Sequence, residues 1–138
     1  MAGELDTLIT AIKAAIDEID EIKVTHKELP PVLTDPPEAW IKMGSGMAEP
    51  SAFGQQEEVH AIELWVYVGM TDAPANEETI RKLWSLVVRK LLEDDTLGGA
   101  CEGIHDQMSY TTGWQSVGGP EYRRMEVTVP CTVNVLTF

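Results

Sequence analysis

Cys101 and His105 are the closest pair of soft metal ligands in the sequence. On a helix that four-residue spacing would place both on one face, where they could share an ion. On a strand they would stand roughly 13 Å apart, too far for a single metal. Gly98, Gly99 and Gly103 argue against a helix there, so the spacing predicts no zinc site. Glu93, Asp94 and Asp95 gather negative charge, but they lack the alternating ligand spacing of a calcium loop and read as a solvated turn. Gly44-Ser45-Gly46 lacks the flanking spacing that makes a serine a nucleophile elbow. Gly98-Gly99 with Gly103 has no following Gly-Lys-Ser/Thr and does not cradle a phosphate. His26, His60 and His105 are chemically capable general bases, yet nothing in the sequence ties any of them to a nucleophile. These residues predict no catalytic, cofactor-binding or metal site, and the chain is read as a non-enzyme.

Charge narrows the partners. Twenty-three acidic residues against ten basic ones give a formal net charge of −13 over 138 residues. Such a surface favours solubility and is repelled by nucleic-acid phosphates and anionic membranes. Two cysteines are too few for a secreted disulfide scaffold and would stay reduced in a cytosol. The start, Met1-Ala2-Gly3-Glu4, does not read as a secretion signal, and no apolar run approaches the ~20 residues of a membrane span. A hydrophobic content of 43% suits one globular domain covering 1–138.

The elements that would position any site follow from periodicity. Leu5, Leu8, Ile9, Ile12, Ile16 and Ile19 recur at three- and four-residue steps and predict an amphipathic first helix. It must end before Pro30-Pro31, and a strand can begin within 24–29. Proline and glycine then break the pattern. One short strand fits at 39–43, and 44–57 reads as a long exposed loop carrying Met47 and Phe53, a length that points to partner contact or disorder. Residues 58–69 alternate: Ile62, Leu64, Val66 and Val68 on one face, Glu63, Trp65 and Tyr67 on the other. The aromatics predict that this second face is also partly covered.

Asn76 is the expected N-cap of a second helix over 77–92, with Ile80, Leu83, Trp84, Val87, Val88, Leu91 and Leu92 as its apolar stripe. A strand over 101–112 and a loop over 113–120 carrying Trp114 are expected next. The last strand, 122–135, alternates Met125, Val127, Val129, Cys131, Val133 and Val135 with Arg124, Glu126, Thr128, Pro130, Thr132 and Asn134. Pro130 cannot donate to a ladder and implies an edge, a bulge or a crossing between sheets. The fold class is therefore α/β in the α+β sense: a mixed or antiparallel sheet with two main helices packed on one face.

This order resembles the tail terminator (tail completion, head-to-tail joining) proteins of long-tailed bacteriophages. The resemblance rests on an amphipathic helix, the Leu29-Pro30-Pro31 break, an apolar strand over 61–68 and a helix running into Asp95-Thr96-Leu97-Gly98-Gly99. A strand ending near Tyr110 and a long alternating strand complete it. It implies a structural virion protein of the tail and neck, assembled in the host cytoplasm. Its homo-oligomer, a hexameric ring, would cap the tail tube, stop tube polymerisation and join the head connector. Its partners would be itself, the tail tube protein and connector proteins, with DNA only as cargo crossing an acidic lumen, and no membrane. No cofactor is implied. Exposed loops and the polar strand faces give an expected interface of Met43, Met47, Phe53, Trp65, Tyr67, Trp114, Thr128 and Thr132. Three other readings stay open: another neck or tail component (head-closure, adaptor or tube protein), a monomeric small-ligand-binding α/β domain, and an enzyme of unknown type, which no constellation of residues supports.

Overall fold

The computed structural model describes residues 4–50, 55–70, 73–104 and 107–136. The order is α1 (Glu4–Asp17), β1 (Val24–His26), β2 (Glu38–Pro50), β3 (Gln55–Gly69), α2 (Ala73–Glu93), β4 (Ser109–Ser116) and β5 (Glu121–Leu136). The strands make one mixed sheet in the order β1-β2-β3-β5-β4. Only the β1–β2 pair is parallel; β2–β3, β3–β5 and β4–β5 are antiparallel.

Both helices pack on one face of this sheet, as the apolar periodicity predicts. Leu8, Ile12 and Ile16 of α1 and Leu83, Val87 and Leu91 of α2 are fully buried. They meet Ile41, Ile62, Leu64, Val66, Met125, Val127, Val129 and Cys131, which share the opposing sheet face. The other face has its own small core of Leu33, Tyr67, Val117 and Tyr122 under the connecting segments. The aromatics of β3 are thus partly covered from behind.

Several boundaries differ from expectation. The second helix begins at Ala73, three residues before Asn76, so Asn76 is a buried helical residue and not the cap. Pro74 explains the earlier start, because the first helical turn has no use for the amide that proline lacks. The strand expected over 101–112 is displaced to Ser109–Ser116 and takes in Trp114, which was expected in a loop. The cause is the turn that follows: Gly118 and Gly119 adopt φ of 67° and 110°, and Val117 N donates to Pro120 O at 2.9 Å. That tight hairpin turn draws 113–116 into the ladder. Ile104 is buried, but from an irregular segment whose Gly103 makes one bridge to Thr132.

The segment expected as an exposed loop is exposed but not a loop. Residues 44–50 continue β2 and residues 55–57 open β3, so the two strands run on as a hairpin arm beyond the helix-covered sheet. Phe53 lies outside the described residues. Gly44, Ser45, Gly46 and Pro50 hid this strand from pattern reading, because neither face of β2 there is apolar enough to alternate. A bulge between Met43 and Ser45 marks where the arm leaves the body.

Pro130 sits inside the sheet, in β5. Thr132 exchanges hydrogen bonds with Glu102 and Gly103 on the side away from β3, so the backbone nitrogen of Pro130, two residues away, points to that same side. There the β4 ladder has already stopped at the Ser109–Thr128 pair. The proline occupies the gap between two pairing segments and costs no ladder bond.

Candidate functional site

The sheet face turned away from the helices is the candidate site. Its upper part, above the small core, presents β2, β3 and β5 side by side. Trp40 stands opposite Trp65, Lys42 opposite Glu63, and Trp65 opposite Glu126. The two indoles meet edge to face, with centroids 5.4 Å apart and planes at 78°. Trp65 is held between two cations: Lys42 Nζ lies 4.3 Å and Arg124 Cζ 4.4 Å from its ring centroid. Its Nε1 donates to Glu63 Oε1 at 2.8 Å. Arg124 is also paired with Glu126 at 3.1 Å and donates to Gln115. Gln115 Oε1 also accepts from the Tyr67 hydroxyl at 3.0 Å. Burial pushes the Tyr67 phenol up to about 12, against the lowering effect of Arg124, so it is a fixed donor with no acid–base role near neutral pH.

This face therefore mixes aromatic, cationic and anionic groups whose charges are matched locally, on a chain that is otherwise strongly acidic. Its polar groups bond largely to one another, and the buried Nε of Arg124 is left without a partner. Such a surface suits a protein neighbour better than a small substrate, since aromatic residues and arginine are the types enriched at interfaces.

Of the eight expected interface residues, the register brings Met47, Trp65, Tyr67, Thr128 and Thr132 to this one face. Met47 is 74% exposed, whereas Tyr67 is only 1% exposed. Tyr67 thus supports the face from beneath and is not a contact residue. Met43 and Trp114 are exposed too, but register places them on the helix side. Sequence reasoning missed Trp40, Lys42 and Arg124. The available signal was the two-residue step: Trp40 with Lys42, Glu63 with Trp65, and Arg124 with Glu126 each share a face.

The other chemically capable side chains among the described residues are already engaged; His105 lies outside the described residues. The Cys101 and Cys131 thiols are buried, and burial raises both, Cys131 to about 12; neither is poised as a thiolate. His26 is bonded to Glu38 Oε1 at 2.7 Å and His60 to Glu58 Oε1 at 2.8 Å. Glu38 is 1% exposed. Burial pushes its carboxyl up, but His26 and the Asp35 and Thr34 amides outweigh that and leave it below the ordinary range. It ties the proline-rich segment to β1 and β2. Asp94 accepts from the Thr96 hydroxyl and the Thr96 and Gly98 amides, so the acidic turn after α2 organises its own backbone. Among the described residues, no three His, Cys, Asp or Glu side chains converge as metal ligands, and no helix is long and apolar enough to cross a membrane.

A groove of about 680 Å³ runs between the ends of α1 and α2, lined by Ala11, Ala14, Ala15, Lys90 and Leu97. The space between helices and sheet, where a ligand-binding domain would need its pocket, is filled by fully buried side chains. Compared with protein-family models and with curated proteins, the chain matches none.

Proposed function

We propose that this protein is a ring-forming structural subunit of a long-tailed phage tail, and specifically the terminator that caps the tail tube and meets the head connector. The observation that carries the reading is the β2–β3 arm with the helix-free sheet face behind it. Residues 43–50 are exposed on both faces of β2, an expensive way to build a strand in a monomer, because exposed edges invite pairing. Assembly removes that liability. The buried thiols agree with a structural role, and so does a face whose side chains bond largely to one another. The resemblance stated from the sequence supplies the choice of terminator over other self-assembling proteins. An acidic ring would let DNA pass without retention, since retention needs neutralised phosphates.

The test is purified protein with and without tail tubes, followed by light scattering and negative-stain imaging. A six-fold ring on the tube end, with tube growth arrested, is the expected result. A chain that leaves tube length and tube ends unchanged would sink the proposal. Stacking into tubes of its own would favour a tube protein instead.

A further inference from the structure

Among the described residues the sheet ends in two free edges of different kinds. On one side β1 covers β2 only along the pairs Val24–Glu38 to His26–Trp40; beyond them, among the described residues, the outer edge of the arm pairs with nothing. The Gly44 bulge and Pro50 bracket a short straight stretch there: Ser45, Gly46, Met47, Ala48 and Glu49. On the other side β4 is the terminal strand, eight residues of Ser, Tyr, Thr, Gly, Trp and Gln. It has no charge, no proline and no bulge in its ladder to β5. Those are the devices that normally keep an edge from pairing, and their absence over about 26 Å of strand marks β4 as an acceptor.

We infer that the outer edge of the arm in one copy adds as a strand to β4 of the next copy, so that the ring is a head-to-tail chain of sheets. The contact rests on the ring reading above and specifies how that ring is joined. Charge chooses this pairing over arm against arm. The described arm carries Glu49, Glu57 and Glu58 and no cation, so two arms would repel. β4 is neutral, and the charges behind it on β5 balance, Arg123 and Arg124 against Glu121 and Glu126, so the acidic arm meets no net like charge there. Topology agrees: the two edges lie on opposite sides of one sheet, so their union is heterologous and propagates in one rotational sense until it closes. Closure leaves neither edge free.

The test is a mixing experiment by sedimentation velocity. Lysines on the acceptor (S109K/T111K) and on the arm (S45K/M47K) each block one half of the contact at exposed positions. Each variant alone should stay monomeric at concentrations more than roughly tenfold above those at which the unaltered chain assembles. An equimolar mixture keeps one intact contact and should stop at a heterodimer, a positive signal that unfolded protein cannot give. Assembly of either variant at the unaltered concentration overturns the inference, as does a mixture without heterodimer or an unaltered chain monomeric both alone and on tubes. The two proposals separate on tail tubes: S109K/T111K that still caps them refutes the edge contact and leaves the terminator reading standing. Edge-joined rings that ignore tubes do the reverse.

Discussion

Strand β3 passes through two different environments. Its second half, from Ile62 to Val68, lies in the body, where Ile62, Leu64 and Val66 have no exposed surface. Its first half, in the arm, is flanked by strands β2 and β5, and Glu57 to Val59 there are exposed or half-buried. Backbone pairing is continuous across the boundary, whereas apolar burial is not. The difference teaches that hydrogen bonding alone extends a sheet, while the hydrophobic face decides which part of it resists unfolding. The arm should open at low cost, and the body should open only with the whole domain.

Two methionines bracket that contrast. Met125 is 0% exposed, on the face of β5 that the helices cover. Truncating it to alanine removes buried methylene and sulfur contacts and leaves a cavity, which should cost about 3 kcal/mol. The readout is a urea unfolding midpoint at unchanged slope. A loss below about 1 kcal/mol would mean that the body can collapse around the gap, and the contrast with the arm would weaken.

The next largest effect belongs to the charged anchor of the body. Glu38 accepts from the Thr34 and Asp35 amides at 2.7 and 2.8 Å and bonds His26. Glu38→Gln keeps the size but removes the charge that these donors face, and should cost about 2 kcal/mol at pH 7. Its carboxyl is held below the ordinary glutamate value of 4.5. Its contribution is therefore fully present above that value and is lost as pH falls through the folded-state pKa. The stability gap between the unaltered chain and Glu38→Gln should shrink on acidification below pH 4.5. A gap that widened there would show that the anchor is not the carboxylate.

A smaller and more local effect is expected where the arm is tight. A Cβ on Gly46 would lie 2.7 Å from His60 Nδ1, and His60 is fixed by Glu58. Gly46→Val forces the imidazole to move, at a cost of about 1 kcal/mol. Amide exchange in the arm should quicken about fivefold, with exchange in the body unaltered. Equal acceleration in Leu64 and Val127 would show that arm and body open as one unit.

Much of this division was legible before the structure. The helices, the buried faces of β3 and β5 and the double-sided burial of the Trp65–Tyr67 stretch followed from spacing, because the body obeys the rule that apolar residues recur with the period of their element. The arm obeys no such rule. Gly44, Ser45 and Gly46 carry no periodic signal, and the strand is held there by distant partners, Ala61 for Ser45 and His60 for Gly46. The hairpin at Gly118-Gly119 was misplaced for a related reason: Trp114 looked like a loop residue until the turn pair behind it set the register. The cation-flanked indole was the hardest to see. Lys42, Trp65 and Arg124 come from three strands, and only the β2-β3-β5 order places them together.

The smallest expected effect gives the most discriminating comparison. Met47 is the same residue type as Met125 but 74% exposed. Met47→Ala removes side-chain surface that water already covers, leaves no cavity, and should change stability by less than about 0.5 kcal/mol. It should nonetheless weaken self-association, because an apolar side chain at the bare edge gains burial only against a neighbour. An unchanged melting temperature with a higher assembly concentration would place the value of Met47 outside the monomer. If melting fell as far as for Met125→Ala, the arm would be part of the cooperative body. The exposed strand would then need an explanation in stability, not in assembly.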